Sequence, residues 1–175
     1  MLKFCSLYSG SSGNSSFIQS ENINILVDAG VSGKKIIDAL ASINIAIEDI
    51  SAILVTHEHS DHTQSIATLS KKYNIPVYAN KKTWEAMQDK KEKMLKENVC
   101  YFNNNKSFTL NDLCILPFDI PHDAANPCGF TISDKNSKIS IATDIGHITT
   151  SIIDNIKNTI AENKLRKELT NQAEE

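Results

Sequence analysis

Three imidazoles and the Asp61 carboxylate fall within six consecutive residues, His57-Glu58-His59-Ser60-Asp61-His62. Imidazole nitrogen and carboxylate oxygen are donors suited to Zn²⁺, Mn²⁺ or Fe²⁺. Positions 57 and 59 alternate by two, so an extended exit from a strand turns both side chains the same way. Asp61 and His62, past the turn, can face a second ion close by. A solvated histidine-rich loop does not account for donors at this density.

Three further residues join this cluster only if the chain folds back on itself. His122, in Ile120-Pro121-His122-Asp123, would alone be an ordinary surface or core histidine. Beside the cluster it is the third nitrogen of a three-histidine site. Asp144 follows an apolar strand and precedes Gly146. In isolation it reads as an Asx turn; in a two-ion layout it is the carboxylate that bridges both ions. Asp28 ends the strand Ile25–Asp28 just before Gly30, and is read as holding the histidine loop by hydrogen bonds rather than touching a metal. His147 is read as a surface residue.

The elements that must position these groups can be read from pattern. Leu2–Tyr8 predicts a strand, Ser9–Ser16 a flexible polar loop, and Ser16–Gln19 with Ile23–Asp28 a hairpin turning at Glu21-Asn22. Lys34–Asn44 predicts a helix with Ile37, Leu40, Ala41 and Asn44 on its inner face. Ala52–Thr56 is a continuous apolar run, the mark of a strand buried on both faces, and His57 begins at its end. Thr63–Tyr73 predicts a helix, Ile75–Ala79 a strand, and Lys81–Glu97 a charged helical region. That region carries six lysines, four acidic residues and Trp84, and reads as a solvated face more than as a nucleic-acid contact. Val99–Phe102, Ser107–Leu110, Leu113–Phe118, Phe130–Ser133 and Lys138–Ala142 predict short strands, Ile148–Ile156 a short helix, and Thr159–Glu175 a charged helical tail.

A formal net charge of −3 argues against a basic nucleic-acid module. It leaves nucleic acid open as a substrate, because bound cations add positive charge where phosphates sit. No stretch reaches the length of a membrane span, and the start lacks a secretory pattern. The expectation is therefore a cytoplasmic protein with no membrane partner. Cys5, Cys100, Cys114 and Cys128 are scattered and predict reduced thiols.

The order His57-x-His59-x-Asp61-His62, then His122, then Asp144, with Asp28 ahead of them, resembles the motif series of the metallo-β-lactamase superfamily. Ser11-Ser12-Gly13-Asn14-Ser15, Leu26-Val27-Asp28-Ala29-Gly30, Ile53 to His62, Tyr78-Ala79-Asn80 and His122-Asp123-Ala124-Ala125 are similar to its YycJ/WalJ branch, phosphodiesterase-type members implicated in DNA processing as exonucleases. The resemblance covers about residues 1–158. It implies an α/β fold, an αββα sandwich, here with the second half incomplete. It implies two divalent ions, Zn²⁺ or Mn²⁺. His57, His59 and His122 would hold the first ion and Asp61 and His62 the second, with Asp144 bridging and Asp61 also taking a proton. The implied activity is metal-dependent hydrolysis of DNA; hydrolysis of thioesters or other acyl substrates is the alternative, and a truncated, inactive metal-binding member is another. A β-lactamase proper is disfavoured, since no export signal is present.

The departures concern the end of the chain. Family members continue through most of a second α/β half, whereas the match here ends near Asn158. The expectation is a partial domain over 1–158 with a tail over 159–175, the chain being truncated or frame-shifted. A half-covered sandwich exposes an apolar sheet face, and a homodimer through that face would cover it.

Overall fold

The run Ile50–Leu54 forms strand β4, and both faces of this segment are buried. Ile53 and Val55 pack with Leu26, Leu40, Ile66 and Leu69 on one side. Ala52 and Leu54 pack with Ile25, Val27, Ile115 and Phe130 on the other. Side chains alternate across a strand, so one element joins two cores, and that makes β4 the centre of a layered structure.

The computed structural model describes residues 1–157; the tail expected over 159–175 lies outside them. Strands β1 (Lys3–Tyr8), β2 (Ser15–Gln19), β3 (Asn24–Val27), β4, β5 (Val77–Asn80) and β6 (Val99–Phe102) form a 6-stranded sheet in that order. The first three run antiparallel; β3 to β6 are parallel. Helices α1 (Gly33–Ser42), α2 (Ser60–Thr63), α3 (Ile66–Tyr73), α4 (Lys81–Ala86) and α5 (Gln88–Lys91) connect its parallel strands. The second sheet has 4 antiparallel strands in the order β10-β9-β8-β7, from β7 (Phe108–Leu110), β8 (Leu113–Asp119), β9 (Cys128–Ser133) and β10 (Lys138–Ile141). On β8, Leu113 and Ile115 face the first sheet, while Phe118 faces away and packs with Ile152 of α6 (Thr150–Ile156). The layers are thus helix, sheet, sheet, helix. The second outer layer holds one short helix among the described residues.

Three local expectations change. Helix α1 buries Ile36 and Leu40, whereas Ala41 is exposed and Asn44 lies past the helix with φ 60°. Asparagine tolerates that left-handed turn, so it ends the helix instead of sitting on its face. The region Lys81–Glu97 is not one helix: it breaks at Met87 (φ −116°, ψ 40°). Trp84 is fully buried there, its Nε1 donating to the Cys100 carbonyl at 2.8 Å. It is a core residue, so neither a solvated face nor a nucleic-acid contact describes it. The cysteines are free and dispersed.

Candidate metal centre

The parallel strands β3, β4 and β5 end at one edge of the first sheet, and open α/β sheets present ligand sites beyond those carboxyl ends. Asp28 follows β3, Thr56 and His57 follow β4, and Asn80 closes β5. The turn 57–62 is then fastened by backbone bonds. Asn14 N donates to the Asp61 carbonyl at 2.7 Å, Ala29 N to His62 at 2.8 Å, and Gly30 N to Asn14 at 2.8 Å. Gly30 lies so close to the turn that a Cβ there would sit 1.5 Å from the Asp61 carbonyl oxygen. Only glycine permits that approach.

Asp28 lies behind the turn, hydrogen-bonded to Thr56 and His62. It is 2% exposed and sits at φ 62°, a backbone state that aspartate enters more readily than most residues. Its Oδ1 accepts the Thr56 N–H at 2.9 Å. Its Oδ2 accepts the Thr56 hydroxyl at 2.8 Å and lies 2.7 Å from His62 Nδ1. These contacts assign two tautomers. His62 carries a proton on Nδ1 and directs Nε2 inward. The Thr56 hydroxyl gives its proton to Asp28, so it accepts from His57 Nδ1 at 3.0 Å. His57 Nε2 is then a bare lone pair; it is buried and has no hydrogen-bond partner.

The distant residues arrive at the same place. The donor atoms of His57, His59 and His122 lie within 4.8 Å of one another, as do those of His57, His62 and Asp144. His122 Nε2 is 3.3 Å from His59 Nδ1. Asp144 Oδ2 is 2.7 Å from His62 Nε2 and 3.8 Å from His57 Nε2. Asp144, like Asp28, has a positive φ, 53°. Asp61 lies beside the second group, its Oδ2 3.5 Å from His62 Nε2, and is not within the 4.8 Å set. His57 belongs to both groups, which its assignment to the first ion alone did not foresee. His147 is exposed and belongs to neither group.

Electrostatics separate the two buried imidazoles. Burial, with the neighbouring His62 adding to it, holds His57 down at about 4, so it stays neutral at physiological pH. Burial also presses His62 downward. The hydrogen bond and charge of Asp28, then the charges of Asp144 and Asp61, outweigh it and leave His62 raised. A proton on His62 therefore occupies a place between carboxylates that suits a cation.

The donor set fits a divalent metal. An orphaned, buried, neutral imidazole nitrogen is costly in a folded chain unless something accepts its lone pair, and imidazole nitrogen with carboxylate oxygen suits zinc or manganese. Three contributors were missed as site residues. Thr56 sets the tautomer of His57. Asn14 Nδ2 lies 3.1 Å from His62 Nε2 and 3.5 Å from Asp61 Oδ2. Glu58 reaches the loop bearing His122. Thr56 and Asn14 are not metal-donor types, and Glu58 turns its carboxylate to Ala125 instead of the donor cluster; only the tertiary contacts reveal these roles.

A sequence profile described as "Metallo-beta-lactamase superfamily" matches residues 8–172. The chain is 41% identical over 149 residues to "Exodeoxyribonuclease WalJ" of Streptococcus pneumoniae, covering 84% of this chain and 55% of that one. It is 38% identical over 148 residues to "Exodeoxyribonuclease YycJ" of Bacillus anthracis, covering 85% and 56%. The chain thus spans about half the length of these relatives. Among solved structures, a metallo-beta-lactamase of Cronobacter sakazakii superposes at a TM-score of 0.66 with 15% identity, over 83% of this chain and 62% of that one. The metallo-beta-lactamase fold protein YhfI of Bacillus subtilis superposes at 0.63 with 16% identity, over 80% and 61%. At these identities the likeness is one of fold.

Proposed function

The chain belongs to the metallo-β-lactamase superfamily, and from that premise we propose that it is a metal-dependent hydrolase cutting phosphodiester bonds of DNA in the manner of an exonuclease. The convergence of His57, His59, His62, His122 and Asp144 on one buried, unpaired imidazole lone pair carries the reading. The names of the relatives supply the substrate class.

On this reading His57, His59 and His122 would hold one Zn²⁺ or Mn²⁺ and Asp61 and His62 the other, with Asp144 adding its carboxylate to the site. A bound divalent ion would supply Lewis acidity and bring the ionisation of water down to about 7. The chain's own groups do the rest. Asp28 and Thr56 fix the imidazole rings so that their lone pairs converge without reorganisation. Asp61, partly open to solvent and linked to Asn14, takes the proton that an attacking water gives up. The burial of His57 and His62 keeps the inner wall dry, which strengthens every charge interaction there.

No described helix is long and apolar enough to cross a membrane, and a DNA substrate supports the reading of a cytoplasmic protein. The expected homodimer would use the outer side of the second sheet beside α6, where Ile148 and Ile153 are exposed; a monomeric elution volume would remove it.

The test is digestion of blunt duplex DNA bearing a 5′ phosphate, with Mn²⁺ supplied. Nucleotide release by the native chain and its loss in His59→Ala is the expected result. A folded, metal-loaded sample that leaves DNA intact refutes the nuclease reading, and thioester substrates then decide whether any hydrolysis remains.

A further inference from the structure

Glu58 stands between the first two histidines of the cluster, and its two carboxylate oxygens differ. Oε1 accepts the backbone N–H of Ala125 at 2.7 Å, across 67 residues of chain. Oε2 is buried and has no hydrogen-bond partner. Burying a carboxylate oxygen without a partner is costly, so the side chain is held where it is by what Oε1 does. The base of this arm is fixed. The Glu58 and His59 carbonyls both accept the Thr63 hydroxyl, at 3.0 and 2.8 Å, and His57 before it is fully buried at the exit of β4.

Ala125 lies in the loop 121–127 between β8 and β9, the loop that carries His122. None of residues 121–127 is fully buried, so apolar packing does not set the loop's position. Hydrogen bonds do. Gly146 N donates to the Pro121 carbonyl at 2.7 Å, and Asn80 Nδ2 donates to the Asn126 carbonyl at 2.8 Å. The Glu58 bond runs directly from the 57–62 turn to this loop, alongside the 3.3 Å contact between His59 Nδ1 and His122 Nε2. It is also the one with a carboxylate acceptor, the stronger kind.

We propose that Glu58 is a positioning residue for His122: its carboxylate latches the 121–127 loop onto the first ligand turn and so assembles the three-histidine donor set ahead of any ion. The proposal rests on the metal-centre reading only for its purpose, because the latch is a property of the metal-free chain. Outer contacts that orient a ligand typically change metal affinity 10–100-fold.

The experiment has two arms, each run on the native chain, Glu58→Ala and Glu58→Gln. In the first, amide exchange at Ala125 is followed by NMR in metal-free protein. Protection in the native chain, exchange at least about tenfold faster in Glu58→Ala, and partial rescue in Glu58→Gln, which keeps a neutral oxygen acceptor, are expected. Equal rates in all three overturn the latch. In the second, Zn²⁺ affinity is read by competition with a chromophoric chelator. Glu58→Ala weakens binding roughly 10–100-fold, and adds nothing in a His122→Ala background because both changes remove the same interaction. An additive loss overturns the proposal. A native chain that binds no Zn²⁺ removes the metal reading, while the exchange arm still decides the latch.

Discussion

The turn 57–62 and the loops holding His122 and Asp144 bring donors to the same cluster by different physics. The turn rises from a parallel strand buried on both faces, and His57 and His62 are 0% exposed. Its backbone is pinned to Asn14 and Ala29 by hydrogen bonds of 2.7 and 2.8 Å. The loops of the second sheet are partly open, with Asp144's side chain 37% exposed. They are placed by single polar ties: Glu58 to Ala125, Asn80 to Asn126 and Gly146 to Pro121. One side is a rigid template and the other a docked arm. Perturbations of the template should therefore cost folding stability, whereas perturbations of the arm should cost ligand geometry with the fold intact.

The sharpest way to break this comparison is Gly30→Ala. Its methyl would fall 1.5 Å from the Asp61 carbonyl and 2.7 Å from Asn14 N, so the turn and its staples cannot coexist with it. A loss above about 4 kcal/mol, or failure to fold, is expected in urea unfolding. An alanine tolerated within about 1 kcal/mol would mean that the template yields.

Asp28→Ala comes next. It leaves the Thr56 N–H, the Thr56 hydroxyl and the His62 Nδ1–H without their acceptor in a buried site. Removing one partner of such a pair costs about 3–5 kcal/mol. The same unfolding measurement checks it; a loss under about 1 kcal/mol would show that water replaces the carboxylate.

The contrast also explains what the sequence reveals. The six-residue donor run and the flanking apolar strand are legible because a local template writes ligands and scaffold side by side. An α/β layer followed by short strands is legible from alternation and turns, the αββα sandwich comes from the family resemblance, and the relation of His122 and Asp144 to the cluster follows from motif order. Residues whose role exists only across long separations stay hidden. Glu58 gains its meaning 67 positions away, at Ala125, and Asn14 gains its own at His62, 48 positions away. The break at Met87 is hidden for a related reason: packing of Trp84 under β6 outweighs the helix propensity of the lysine-rich run.

Asn80 tests the arm at its second tie. Its Oδ1 caps α4 by accepting from Thr83 N at 3.0 Å, and its Nδ2 supports Asn126. Asn80→Ala should cost about 2 kcal/mol, one part cap and one part loop. Amide exchange should rise around Asn126 and leave the 57–62 turn unchanged. Faster exchange throughout the turn would merge the two regions into one.

Asp144→Asn has the smallest expected effect on folding, and it separates the regions most cleanly. The carboxylate is partly solvated, so its pairing with His62 is screened, and stability should change by no more than about 0.5 kcal/mol. Its charge is nonetheless one of those that hold His62 above its ordinary value, behind Asp28. A raised imidazole contributes stability that is complete below the unfolded value near 6.5 and fades as pH rises through the folded value. In the metal-free variant that fade begins at lower pH, because His62 releases its proton earlier. NMR titration of the His62 ring should show its midpoint moving down with the unfolding midpoint almost unmoved. If the ring titrates as in the native chain, Asp144 is not electrically part of the cluster; if stability falls by several kcal/mol, the arm is as structural as the template.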